Sequence, residues 1–337
     1  MQLSFVAGSA RCGAMITLIV MLSSCGGGGG DSSSGTNPGT PPSGTDRSGV
    51  MVYTSINKTN AVNMANGTTR LLFTPDLSRS YVGAGVGPNG EIAVAYNSST
   101  TGPTSELTIL KSDGSTEISK RLNYTIQGQP KFSPDGSKLA FTAGVYTSGK
   151  LRYFTQVISR AGAELFYFND LDRPGWTPDG RLIFISEDGK LDLYLSKADF
   201  LQQLTLIPNS SNIGSFSVHP DGTKIAFSRG VGGAARHIYV MNFDGSNTTQ
   251  ITTSSNSEET RVLYSPNGKE LLVTSYGCVG VSDSGLSSGD VDRDLIHVIP
   301  ADSRMLDIRG LANSGASSRL LDEAGNTRCT DASPSWR

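Results

Sequence analysis

From residue 50 onward the apolar positions fall in short runs bounded by turn residues, and they do not recur at the three- and four-residue spacing of an amphipathic helix. Two such runs are Lys224-Ile225-Ala226-Phe227-Ser228 and Ile238-Tyr239-Val240-Met241. Runs that are apolar at successive positions, rather than at alternate ones, belong to strands buried on both faces. The pattern therefore predicts many short strands packed between neighbouring sheets.

The turns between these runs repeat. Phe132-Ser133-Pro134-Asp135-Gly136, Trp176-Thr177-Pro178-Asp179-Gly180, Val218-His219-Pro220-Asp221-Gly222, Tyr264-Ser265-Pro266-Asn267-Gly268 and Val86-Gly87-Pro88-Asn89-Gly90 share one design. Proline pre-sets φ at the second turn position, Asp or Asn suits the third, and glycine takes the left-handed conformation that closes a hairpin. The prolines at 88, 134, 178, 220 and 266 are separated by 46, 44, 42 and 46 residues. That is the period of a four-stranded propeller blade, with strands A to D. Phe141, Phe184 and Phe227 recur at one repeat position and are read as filling between blades.

The turn between strands C and D occurs six times, near Gly67, Gly114, Gly162, Asp199, Gly245 and Asp302, whereas the turn between A and B occurs five times. One blade thus lacks its own strand A. Ser333-Pro334-Ser335-Trp336 matches the strand-A ending Arg173-Pro174-Gly175-Trp176. The prediction is an all-β, six-bladed β-propeller closed by pairing the C-terminal strand with the N-terminal blade, where 51–55, 61–64 and 69–73 supply strands B, C and D.

The repeat resembles that of the TolB-type, WD40-like (PD40) propellers, whose signature is close to Pro-Ser-Trp-Ser-Pro-Asp-Gly, then Lys-Ile-Ala-Phe, then Ile-Tyr-Val-Met-Asn-x-Asp-Gly. The resemblance covers nearly all of residues 50–337. It implies the fold, and it leaves function open, because propellers host unrelated activities. TolB itself carries an additional amino-terminal α/β domain, for which no room exists between Cys25 and Val50. Its colicin and Tol–Pal roles are accordingly not carried over.

The first fifty residues have a different composition. Ala14 to Leu22 is an apolar run of nine, too short to span a bilayer. It ends in Leu22-Ser23-Ser24-Cys25, which resembles the lipobox of bacterial lipoprotein precursors. That resemblance implies a signal peptide over 1–24 and lipidation of Cys25. Residues 25–49 then form a Gly/Ser/Pro-rich tether, ahead of a propeller over 50–337. Gly26 in place of aspartate implies an outer-membrane lipoprotein, its propeller in the periplasm or at the cell surface.

Charge narrows the partners. With 28 basic against 30 acidic residues, and 17% charged overall, the chain has no field to attract nucleic acid. Of the four cysteines, Cys12 leaves with the signal and Cys25 takes lipid, so Cys278 and Cys329 remain. In an oxidising compartment the two are expected to form a disulfide, since the loops that carry them lie on the same face.

Chemistry-bearing candidates are few. Gly285-Leu286-Ser287-Ser288-Gly289 matches a nucleophile elbow in letters, but it lacks the strand and helix that would strain Ser287 outward. Asp290, Asp292 and Asp294 alternate as at the start of a calcium loop, yet Leu295 and Ala301 stand where an EF-hand needs glycine and glutamate. They are weak candidates for calcium, or else a solvated turn, and no other cofactor is indicated. The three histidines, His219, His237 and His297, are not spaced as metal ligands.

These features predict a monomeric, membrane-anchored envelope lipoprotein whose propeller binds a protein partner or acts as a scaffold. The rival is a carbohydrate-binding or carbohydrate-active propeller, with its site among the B-to-C and D-to-A loops. That rival requires Asp283, Asp290, Asp292, Glu258 and His237 to converge.

Overall fold

The computed structural model describes residues 47–337, apart from 56–57, 75–78, 99–103, 187–192, 197–202, 208–212, 231–234, 255–257, 277–293, 309–317, 320–328 and 331–332. Cys25, Cys278, Ser287, Asp290 and Asp292 lie outside the described residues. Of Cys329 the structure describes the backbone, which pairs with Leu295.

Five antiparallel sheets are each built from one continuous stretch of chain. The first blade comprises Ser80–Val86, Ile92–Asn97, Ser105–Leu110 and Thr116–Leu122. The second has the long hairpin Lys138–Thr147 and Lys150–Ser159 with Glu164–Asn169 outside it, and its inner strand is split into Thr125–Ile126 and Lys131–Phe132. The third runs Leu171–Trp176, Leu182–Ser186, Leu193–Ser196 and Gln203–Ile207. The fourth runs Ile213–Val218, Lys224–Arg229, His237–Asn242 and Thr249–Gln250. The fifth has Glu259–Tyr264, Glu270–Tyr276, Asp294–Pro300 and Ser318–Arg319, with Cys329–Thr330 also on Asp294–Pro300.

The turns form as their residues dictate. In each repeat the glycine amide bonds back to the residue before the proline, as Gly136 N does to the Ser133 carbonyl at 2.9 Å. Gly90, Gly136, Gly180, Gly222 and Gly268 all have φ between 72° and 82°, the left-handed region where a side chain is disfavoured. The aspartate adds a second lock, since Asp135 Oδ1 accepts from the Ser137 amide at 3.0 Å.

Closure by a sixth blade is where the expectation needs correcting. The N-terminal strands Val50–Ser55, Lys58–Asn63 and Thr69–Phe73 form a sheet that borrows only two residues, Ser335–Trp336, beside the first of them. Its ladder is Met51 with Trp336 and Val52 with Ser335, whereas the inner strands of the first, third, fourth and fifth blades are six or seven residues long. Among the described residues the molecule has five complete blades, and no closing strand of comparable length joins the two ends of the chain. The physical reason lies just before this pair, where Pro334 has no amide hydrogen to donate to the ladder.

Beyond this short ladder and the bond from Arg337 N to the Val50 carbonyl at 2.9 Å, side-chain packing holds the region. Met51, Val62, Met64 and Trp336 pack with Leu272, Ile296 and Val298 of the fifth blade. Val52 and Ala61 pack with Ala84, Ile92 and Val94 of the first. Trp336 Nε1 donates to the Ser48 carbonyl at 2.9 Å. The buried Arg47 guanidinium meets Glu270 at 3.0 Å. Elsewhere the recurring phenylalanines do fill between blades, and Phe141, Phe184 and Phe227 are fully buried.

Candidate functional site

The inner strands surround a cavity of about 700 Å³. Four of these strands lose register near their first residues, between Tyr81 and Gly83, Asp172 and Gly175, Ile213 and Ser215, and Glu259 and Arg261. An irregularity of this kind bends the strand and re-aims the local side chain. In the third blade Arg173 has φ 47°, strained for a non-glycine residue. Its amide donates to Thr142 Oγ1 at 2.8 Å and its Nη1 to the Gly214 carbonyl at 2.7 Å, so two neighbouring blades hold the unusual geometry.

The cavity wall carries Arg79, Lys131, Arg173 and Arg261, with Asp172 as its one carboxylate. Arg79 is spent on Glu106 at 2.7 Å. Asp172 Oδ1 lies 3.0 Å from Arg173 Nε, and burial, partly offset by that guanidinium, raises its carboxyl above the ordinary range. Arg261 Nε is buried without a hydrogen-bond partner and stands 4.0 Å from Asp294 Oδ2. Lys131 is half-buried, with Nζ 5.7 Å from the centre of the Phe216 ring. Burial, reinforced by the Arg261 charge and partly offset by Asp172, pushes its ammonium down to about 8. The wall thus carries more cations than carboxylates, with the Lys131 ammonium unpaired among the described residues, an arrangement suited to anions.

At the opposite end lies a second hollow of about 450 Å³, rimmed by all five turn prolines with Trp176, Tyr264 and Trp336. Lys131, Gln129, Phe216 and Leu263 line both hollows, which makes them the waist between the two.

The residues singled out from sequence go elsewhere. Asp294 is buried and its Oδ2 accepts from Thr260 Oγ1 at 2.7 Å and Thr274 Oγ1 at 3.1 Å, so that oxygen is engaged within the fifth blade. Glu258 pairs with Arg236 at 2.6 Å and His237 with Glu259 at 2.7 Å, and neither Glu258 nor His237 lines the cavity. His219 Nδ1 contacts Asp221 at 2.5 Å beside Tyr264, and His297 is fully buried against Ser275. Among the described residues no group of His, Cys, Asp and Glu is placed to hold a metal ion.

The cationic wall was missed, although the repeat could have revealed it. Five residues before each turn proline stand Gly83, Gln129, Arg173, Ser215 and Arg261. Four of these line the cavity. Arginine at two of five equivalent positions was the available signal.

The model of the TolB beta propeller domain matches residues 92–292, more than half of the chain. The chain belongs to the TolB β-propeller family. A TolB homolog of Chlorobium luteolum is 33% identical over 118 residues, which cover 34% of this chain and 26% of that relative. This propeller therefore matches only about a quarter of that relative's length. TolB of Acinetobacter baumannii superposes with a TM-score of 0.57 at 18% identity, covering 87% of this chain and 67% of that one. A putative TolB of Agrobacterium tumefaciens gives 0.55 at 17% identity, covering 87% and 99%. At such identities the two structures speak for the fold alone. Among the described residues no helix is long and apolar enough to cross a membrane.

Proposed function

We propose that this TolB-family propeller is an envelope protein-binding module, anchored to the outer membrane through lipid on Cys25. The observation that carries the reading is the proline-rimmed hollow, where Trp176, Tyr264 and Trp336 stand among turn prolines fixed by five identical hairpins. Aromatic side chains on a rigid frame lose little entropy on binding and are enriched where proteins meet. Of the residues the rival carbohydrate-active reading calls on, Glu258 and His237 are engaged in ion pairs away from the cavity, while Asp283, Asp290 and Asp292 lie outside the described residues.

The test is site-specific photo-crosslinking in the native envelope, with the probe at Pro178 on the rim or at Tyr146 on the exposed end of the long hairpin. Crosslinks to one envelope protein from Pro178, absent from Tyr146 and weakened in a Cys25→Ser form, support the module and its anchor. Equal labelling from both positions, or none from Pro178, overturns the reading.

A further inference from the structure

The wall of the larger cavity, which begins at the waist with Lys131 and runs away from the proline rim, has a different chemistry. A protein-binding rim needs no buried cations. Here the Lys131 ammonium has no hydrogen bond or ion pair among the described residues, and Arg261 Nε is a buried donor without a hydrogen-bond acceptor, 4.0 Å from Asp294 Oδ2. Arg173 is held in a left-handed conformation by bonds from two blades. Three cations, Lys131, Arg173 and Arg261, stand against two carboxylates, Asp172 and Asp294, and the positive charge left over attracts an anion.

We infer that this cavity binds a sugar acid, whose carboxylate sits among Lys131, Arg173 and Arg261 while its ring lies against Phe216. Size and the neutral part of the wall select that class. A volume of about 700 Å³ exceeds any simple inorganic anion and suits one to a few sugar units. Gln127, Gln129 and Thr142 add amide and hydroxyl groups for ligand hydroxyls, and the Phe216 ring supplies an apolar face. Asp172, beside the cations, is an acceptor for a hydroxyl. Guanidinium groups fit a planar carboxylate in bidentate fashion, and Lys131 adds a point charge. The inference concerns the larger cavity and the protein-binding reading the proline rim; Lys131 and Phe216 line both, but Arg173 and Arg261 line only the former.

The experiment is calorimetric titration of the full chain carrying Cys25→Ser, with glucuronate, an oligoglucuronate, glucose, citrate and an acetylated glutamate pentapeptide as probes. Glucuronate is expected to bind, glucose not to bind, and citrate and the peptide to bind at least tenfold more weakly than glucuronate. Tighter binding of the oligomer than of the monomer assigns the natural source to a polysaccharide, and equal binding assigns it to a free sugar acid. Lys131→Met and Arg261→Gln should each weaken glucuronate at least tenfold with the thermal transition still cooperative. Should Lys131→Met fail to fold, Arg261→Gln decides, together with a loss of affinity for the unmodified site between low and high salt. Absence of glucuronate binding, affinity unchanged in the folded variants, or equal or tighter binding of citrate or the peptide would each overturn the assignment. None of these outcomes bears on crosslinking from Pro178, so the two readings fail separately.

Discussion

Replacing Lys131 by methionine should make the protein more stable, an effect opposite to that of most substitutions in a packed interior. The ammonium ordinarily titrates at 10.5 and is pushed down to about 8, first by burial and then by the Arg261 charge. A displacement of that size corresponds to roughly 3 kcal/mol of penalty on the charged form. The side chain is half-buried and opens on a wide channel, so solvent screening reduces the figure to about 2 kcal/mol. Loss of the contact with the Phe216 ring returns about 0.5 to 1 kcal/mol, and the methionine keeps the apolar stem. A net gain of about 1 kcal/mol remains at pH 7, which for a domain of this size is a rise of about 2 °C in Tm. The pH dependence is the sharper check. With the folded value depressed, the unfolded chain binds the proton more tightly. The penalty is therefore complete below pH 8 and disappears as pH rises towards 10.5. Scanning calorimetry of both proteins at pH 7, 8.5 and 9.5 should show the gap narrowing. A variant less stable than the parent at pH 7, or a gap that widens with pH, would refute the claim that the charge is uncompensated.

Two further predictions concern ion pairs that join sheets. Arg160 of the second blade contacts Glu91 and Glu117 of the first at 2.6 Å each; burial would raise the Glu91 carboxyl, but Arg160 and the Asn89 groups outweigh it and hold it at about 2 against 4.5. Arg160→Ala should cost about 2 kcal/mol in urea unfolding at pH 7, after allowance for the exposure of Arg160. Because the folded value is depressed, that cost is present above pH 4.5 and fades as pH falls towards 2; a cost that grows in acid contradicts the assignment. Arg47→Ala should cost about 3 kcal/mol, since it strands the buried Glu270 carboxylate, and adding Glu270→Gln should recover much of the loss. Additive losses in the double variant would show that the two side chains do not act as a pair.

The repeat made most of this fold legible because every local rule pointed the same way. Pro134, Asp135 and Gly136 specify a turn, the apolar run from Leu139 to Phe141 specifies a strand covered on both faces, and the spacing of successive turns specifies the blade. Legibility ended at the chain termini. The match of Ser333–Trp336 to Arg173–Trp176 predicted an inner strand, yet only Ser335 and Trp336 enter a ladder. Residue identity can say that Trp336 belongs against the sheet of Met51 and Val62; the length of the ladder depends on backbone donors, which Pro334 lacks, and the burial of the tryptophan ring needs no long ladder.

The candidate site was harder to read for a related reason. Attention to acids and histidines selected residues such as Glu258, His237 and Asp294, which turn out to be satisfied within their own blades or by an adjacent arginine. A repeat protein uses equivalent positions for equivalent structural work, so a position that varies between copies and faces the axis is released from that work. The position five residues before the turn proline behaves this way, reading Gly83, Gln129, Arg173, Ser215 and Arg261. At Arg173 the departure also carries backbone strain, which the fold tolerates only because Thr142 and Gly214 hold it from both sides. Strain and uncompensated charge at one level of the channel are two costs that stability alone would remove. Their coincidence at a cavity is the reason to assign that level to a ligand rather than to the scaffold.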